Sequence, residues 1–228
     1  ESMSANPDKG APTFPPGFLE NPVIKDITEL MPWTAENVAR DFGITRERQD
    51  EYAAVSFQKA EAAQKAGFTA EEIIPITTKW KDPKTGEVRE VVVDRDEGVR
   101  PGTTVEGLSK IRPAFPQWPP STTTGGNASQ ITDGAAAVLI MRRDMALRLQ
   151  QPILGKFVQS TVAGLEPRIM GIGPALAIPK LMSKVGISMN EVDIFEINEA
   201  FASMVCRLHR TRHLPSSLFC GHADWRTM

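Results

Sequence analysis

Cysteine, tyrosine and histidine are scarce in this 228-residue chain, with two, one and three residues respectively. Cys206 and Cys220 cannot build a disulfide framework and lack the paired spacing of a structural zinc site. Neither a disulfide-stapled secreted domain nor a metal centre is expected, and a reducing compartment is. No apolar run approaches the length that spans a bilayer. Excess charge is missing too: 26 Lys and Arg stand against 28 Asp and Glu, a net charge of −2. That balance gives no bulk electrostatic case for nucleic acid or an anionic membrane as partner. Position 1 is Glu rather than Met, and Glu1-Ser2-Met3-Ser4 has neither the basic start nor the apolar block of a signal peptide. The expectation is a sequence that begins inside a longer protein. Arg226-Thr227-Met228 is not a peroxisomal tripeptide of the Ser-Lys-Leu type.

What is present is ordinary for a globular chain, with 41% hydrophobic and 24% charged residues and a length that suits one or two domains. Pro12, Pro15, Pro16, Pro22 and Pro32 crowd residues 1–33; that density predicts a surface loop without regular helix. Thr34 then caps a helix over Ala35–Phe42 stopped by Gly43, and Thr45 caps a longer one from Arg46 to Ala66 stopped by Gly67. On the longer helix Ala53, Phe57, Ala60 and Ala63 make a modest apolar face, opposite a solvated face carrying Glu47, Glu51, Lys59, Glu61 and Lys65. Ile74–Trp80 and Glu87–Val93 flank Asp82-Pro83-Lys84-Thr85-Gly86 and read as a hairpin.

From residue 135 strand and helix alternate. Ala135–Met141 reads as a buried strand whose alanines would also suit a helix, Asp144–Gln150 as a helix and Ile153–Thr161 as a strand. A helix follows over Ala175–Val185, opened by Pro174 and closed by Gly186. Val192, Ile194, Phe195 and Ile197 fill a further short strand, and Asn198 stands where the next helix would begin. This alternation predicts a parallel sheet of βαβ units. Asn198 has two readings: it caps its helix, or its amide holds a water or a developing oxyanion at a strand end.

Four stretches carry a resemblance. Asn198-Glu199-Ala200-Phe201-Ala202, behind Phe195-Glu196-Ile197, closely resembles the NEAF box of thiolases. Gly125-Gly126-Asn127-Ala128-Ser129 resembles the family's AGNAS box, with Gly125 where Ala is more frequent. Asp96-Glu97-Gly98-Val99-Arg100, running on to Ser109-Lys110-Ile111-Arg112-Pro113-Ala114-Phe115, resembles a stretch whose Arg contacts the coenzyme A nucleotide. Glu1-Ser2-Met3-Ser4 resembles the segment that closes the family's N-terminal half.

The resemblance, strongest to the peroxisomal 3-ketoacyl-CoA thiolases, implies an incomplete thiolase-like α/β fold. Its parts would be the loop domain plus part of the C-terminal βαβ half of a five-layered αβαβα architecture. The expected division is a CoA-binding loop domain over residues 1–120, a partial C-terminal half over 121–203 and a divergent tail over 204–228. Asn198 would be catalytic, holding the oxyanion water. Ala200 and Phe201 would line the thioester cleft, and Arg100, Phe115, Ser129 and Met170 would contact CoA. Arg100 could otherwise pair with Asp96 or Glu97, and Met170 could be a core methionine.

The reaction implied is thiolytic cleavage of 3-ketoacyl-CoA in fatty-acid β-oxidation, with CoA as co-substrate, no cofactor and no metal. A homodimer is the implied assembly; the location is peroxisomal, or otherwise mitochondrial or cytoplasmic. The resemblance finds no counterpart in this sequence for the nucleophilic Cys, the Gly-Gly-His-Pro box or the Cys-x-Gly box. Cys220-Gly221-His222 has Ala223 where Pro belongs and follows Asn198 too closely. Inactivity of the chain alone is therefore expected, with a non-catalytic CoA-binding or subunit-interacting product as the alternative. Parallel strands with open edges further predict aggregation or a molten state for the isolated chain. The basic cluster from Arg207 to His213 reads as a divergent end, because no aromatic platform interleaves it for RNA.

Overall fold

A computed structural model describes residues 14–132 and 134–209. The chain divides into two compact units, one of residues 1–44 with 129–228 and one of residues 45–128.

The first unit is built on α2, Met31–Asp41. Pro32 lies in its first turn, where the missing N–H costs nothing, so the helix starts ahead of Thr34. The Thr34 hydroxyl donates back to the Met31 carbonyl at 2.8 Å instead of capping. Gly43, at φ 59°, ends the helix in a Schellman turn. In that turn the Ile44 N–H donates to the Ala39 carbonyl and the Gly43 N–H to the Arg40 carbonyl. A short helix α1, Pro22–Ile27, precedes α2. The proline-dense start is therefore not helix-free as the sequence predicts, because both prolines fall in first turns.

Ala35, Val38 and Ala39 of α2 are buried with Val205, Cys206 and Leu208 of α8, Ala202–His209. The two helices pack on each other and on the 3-10 turn Pro167–Ile172. Gly171 makes this closeness possible, since a Cβ there would collide with the Met204 side chain. The helix α7, Gly173–Val185, closes on Gly186 at φ 75° as the sequence predicts.

The second unit carries α3, Arg46–Lys65, capped by Thr45, whose hydroxyl accepts the Arg48 N–H at 3.3 Å. It also holds α4, Phe68–Glu72, the antiparallel hairpin of β1, Ile76–Lys81, with β2, Val88–Val93, and α5, Val105–Ser109. Ala53 and Ala54 of α3 pack with Leu108 of α5 as a small apolar cluster. The rest of that helix's buried face is polar, Gln49 and Asp50.

The expected parallel strands are a correction. Among the described residues the β1–β2 hairpin is the only sheet. Residues 135–141, 153–161 and 192–197 carry no strand, and helix α6, Arg143–Arg148, interrupts them. A strand is defined by a neighbour's backbone, and these segments find none. Their apolar side chains are correspondingly open, with Val138 at 81% and Leu154 at 98% exposure. Lys180 and Lys184 of α7 donate instead to the Val162 and Ser160 carbonyls, at 2.9 and 3.2 Å. No described helix is long and apolar enough to cross a membrane.

A polar network ties α2 to the Pro167–Ile172 turn. The Arg168 guanidinium lies 2.7 Å from the Asp41 carboxylate, and Arg40 donates to the same carboxylate at 3.0 Å. The Arg168 hydrogen bond holds the Asp41 carboxyl below its usual range, against the opposing effect of burial. A depressed folded-state value gives stability that is present above the unfolded value of about 3.9 and is lost as pH falls through the folded one. Arg168→Gln should thus raise the Asp41 midpoint in a 13C-carboxyl NMR titration and move acid unfolding to higher pH. An unmoved Asp41 midpoint would show that the pair does not form in solution.

Candidate functional site

In the second unit a buried ionic centre shapes the Ser121–Ser129 loop. Asp50, 1% exposed, accepts from Arg46 one helical turn earlier at 2.7 Å. The other arm of Arg46 donates to the Leu108 and Ile111 carbonyls at 2.8 and 2.9 Å, satisfying the end of α5. The second oxygen of Asp50 accepts the Asn127 amide at 3.0 Å. Asn127 also donates to the Thr122 carbonyl at 3.0 Å, while its own oxygen accepts the Thr124 N–H at 2.8 Å. The Thr124 hydroxyl accepts the Gly126 and Asn127 N–H groups at 3.1 and 3.2 Å. These bonds come from within the loop and from Asp50, and the Thr123 carbonyl also accepts the Ala114 N–H at 2.9 Å.

Arg100 and Phe115 belong to this unit. The Arg100 side chain is exposed and pairs with neither Asp96 nor Glu97 among the described residues. Phe115 stacks on Trp118 with centroids 4.7 Å apart and a 16° interplanar angle, a ready apolar platform.

In the first unit the two boxes of the resemblance meet. The Ser129 N–H donates to the Ala200 carbonyl at 2.9 Å, across 71 residues of sequence. With the Ala200 carbonyl held outward, the chain cannot coil until Phe201, whose carbonyl accepts the first helical N–H groups, from Met204 and Val205. Helix α8 therefore begins at Ala202, and Asn198 lies four residues ahead of it in an exposed, non-helical stretch. The capping reading of Asn198 does not hold, and its side-chain amide has no partner among the described residues. Ser203, fully buried, anchors the helix start by donating to the Ala35 carbonyl at 3.1 Å.

Met170 is 48% exposed and so is not a core methionine; it sits in the turn whose next residue, Gly171, meets Met204. Ala200 and Phe201 are half-buried, and the Ser129 hydroxyl donates to the Gln130 carbonyl at 3.0 Å. A cavity of about 580 Å³ in this unit, lined by Trp33, Asn37, Arg40 and Arg168 among others, contains none of the expected site residues. Its two guanidiniums are taken up by Asp41 and Asn37. Cys220, His222 and residues 210–213 of the basic cluster lie outside the described residues. Arg207 lies over the Phe42 ring at 4.3 Å, a packing contact.

The sequence reading missed Asp50 and Asn127 as partners. Asp50 was one acid on a charged helix, and nothing local signals a bond that spans 77 residues. The break placed after Ser203 falls inside α8, whose residues 204–206 and 208 are buried.

Family models for the thiolase N-terminal domain and the thiolase C-terminal domain match residues 1–144 and 151–218. The peroxisomal 3-ketoacyl-CoA thiolase B of Rattus norvegicus is 50% identical over 204 residues, covering 89% of this chain and 47% of the relative. The peroxisomal 3-ketoacyl-CoA thiolase of Homo sapiens is 48% identical over 216 residues, covering 94% of this chain and 50% of the relative. Among solved structures, the dimeric peroxisomal thiolase of Saccharomyces cerevisiae matches with a TM-score of 0.79 at 42% identity, over 90% of this chain and 49% of that one. Human mitochondrial 3-ketoacyl-CoA thiolase matches with a TM-score of 0.74 at 38% identity, over 85% and 47%. The chain spans about half the length of the curated relatives it matches. Its path is that of a partial thiolase fold even where ladder bonds are missing.

Adjacent glycines in the loop make opposite predictions. A Cβ on Gly126 would stand 2.5 Å from Leu108 and 2.7 Å from Ile111, whereas one on Gly125 would meet nothing within 4 Å. Gly126→Ala should cost about 1–3 kcal/mol by overpacking. Gly125→Ala should be neutral, or stabilising by up to about 1 kcal/mol through the unfolded chain. Urea unfolding of the two variants checks this, and equal midpoints would refute the packing account.

Proposed function

Because the chain belongs to the thiolase family, we propose that it forms the CoA-binding and oxyanion-holding part of a 3-ketoacyl-CoA thiolase. The single observation that carries this reading is the Ser129–Ala200 hydrogen bond, which joins the two motifs assigned to pantetheine and thioester. Asn198 would present its uncommitted amide to the water of the oxyanion hole, with Ala200 and Phe201 beside the thioester. Ser129 and Met170 would flank the pantetheine arm. Arg100 would pair with phosphate or stack on adenine, and Phe115 would offer its ring, as a guanidinium and an aromatic face can.

The reaction of the whole enzyme would be thiolysis. A Cys thiolate adds to the 3-keto carbon, the bond between C2 and C3 breaks, and acetyl-CoA departs after its C2 takes up a proton. A second CoA thiol then receives the acyl group from sulfur. These 228 residues hold no counterpart of that nucleophile, so the chain alone binds CoA without turnover. A peroxisomal location and dimeric assembly follow from the same reading through the names of the relatives, and a role in fatty-acid β-oxidation follows from a 3-ketoacyl-CoA substrate.

Titration calorimetry with CoA, run beside an acetoacetyl-CoA thiolysis assay on the same sample, tests the proposal. Expected are saturable CoA binding and no thiolysis, with Arg100→Ala and Ser129→Ala each weakening binding several-fold, about 1 kcal/mol for a lost hydrogen bond. No binding by the folded chain, or unchanged affinity in both variants, would reject the site. Turnover would reject the division of labour.

A further inference from the structure

We propose that Asp50 and Asn127 are positioning residues for ligand binding, setting the backbone of the loop that leads into Ser129; this rests on the reading of Ser129 as a CoA contact. Asn127 precedes Ser129 by two residues, so whatever fixes its amide plane fixes the course of the chain into that serine. Three bonds fix it: a donor to Asp50, a donor to the Thr122 carbonyl and an acceptor for the Thr124 N–H. An Asn amide can be turned over, exchanging its oxygen and nitrogen. Asp50 removes the choice, because an ionised carboxylate only accepts. The nitrogen must therefore face α3, and the oxygen is left for Thr124.

Stability alone does not explain such a centre. A buried ion pair typically gains little over a well-packed apolar replacement, and its best-attested use is to specify one arrangement. Here Asp50 is 1% exposed and Asn127 4% exposed. Both side chains converge on the loop, whose Thr123 carbonyl is held besides by the Ala114 N–H at 2.9 Å. Arg46 completes the centre by holding Asp50 from the opposite side while gripping the carbonyls that end α5. Gly126, lacking a Cβ, lets the turn approach Leu108 and Ile111 closely.

The test uses the full chain, CoA as probe, and a temperature well below the melt of each variant. Asn127→Ala and Asp50→Ala should each raise the CoA Kd about tenfold in the folded protein and deprotect the Thr124 amide in hydrogen exchange. Asp50→Asn can still offer an oxygen to the Asn127 amide but no longer excludes the turned-over amide, and it should give a loss between those of the parent and Asp50→Ala. Should the alanine variants fail to fold, Asp50→Asn, which keeps the side-chain volume, carries the test, and its loss of affinity should come with partial deprotection of the Thr124 amide. Alanine variants or Asp50→Asn that bind CoA like the parent overturn the proposal. A parent chain that binds no CoA rejects the proposed function instead. The loop-setting role then stands or falls on whether Asn127→Ala deprotects Thr124.

Discussion

One main-chain hydrogen bond, from Ser129 to Ala200, constrains more of the first unit than any side chain does. It claims a carbonyl that an earlier helix start would have needed for its own ladder. The helix must begin at Ala202 as a consequence, and the residues before it stay non-helical, with Asn198 and Glu199 exposed. The same start presents Ser203 to the Ala35 carbonyl and brings Met204 over Gly171. Two segments far apart in sequence are set in register without a sheet around them. Ser129 is exposed and Ala200 half-buried, so the bond acts by fixing the course of the chain and not through burial.

The second unit solves a different problem. Its apolar cluster is small, and much of what α3 buries is polar. Burying a carboxylate is unfavourable unless each oxygen is hydrogen-bonded. Asp50 meets that condition with Arg46 and Asn127, each of which is itself committed elsewhere. The result is a network in which no member can rotate without stranding another. Such networks gain specificity of conformation more than they gain free energy. A loop that is proposed to hold a ligand would benefit from that trade, because affinity depends on arriving already shaped.

Local signals were legible and distant ones were not. Thr45 as a cap, Gly43, Gly67 and Gly186 as stops, and the Asp82–Gly86 turn between β1 and β2 each act within a few residues. The boundaries moved where a local rule had an exception, as at Pro32, which opens α2 instead of breaking it. Asn198 misled for the opposite reason: its surroundings suit a cap, and only the pairing of Ala200 with Ser129 forbids it. The site was legible as words, four motifs with a family behind them. The Asp50–Asn127 bond had no word, since it joins an unremarkable helix acid to a loop amide 77 residues away.

The three segments that carry no strand make the same distinction in energetic form. A helix satisfies its backbone from within, and α2, α3 and α8 need only a face to pack against. A parallel strand has no such independence, because each of its bonds belongs equally to a neighbour. Residues 135–141 and 153–161 have the composition of interior strands and the exposure of a surface, a combination that is unfavourable at roughly 25 cal/mol for each Å² of apolar area left in water. Lysines from α7 reach two of the stranded carbonyls, which relieves the polar half of the problem and none of the apolar half. In the described residues, then, the order of the chain follows the range of its hydrogen bonds. It is firm where partners are local or delivered by a buried network, and open where the partner must be another strand.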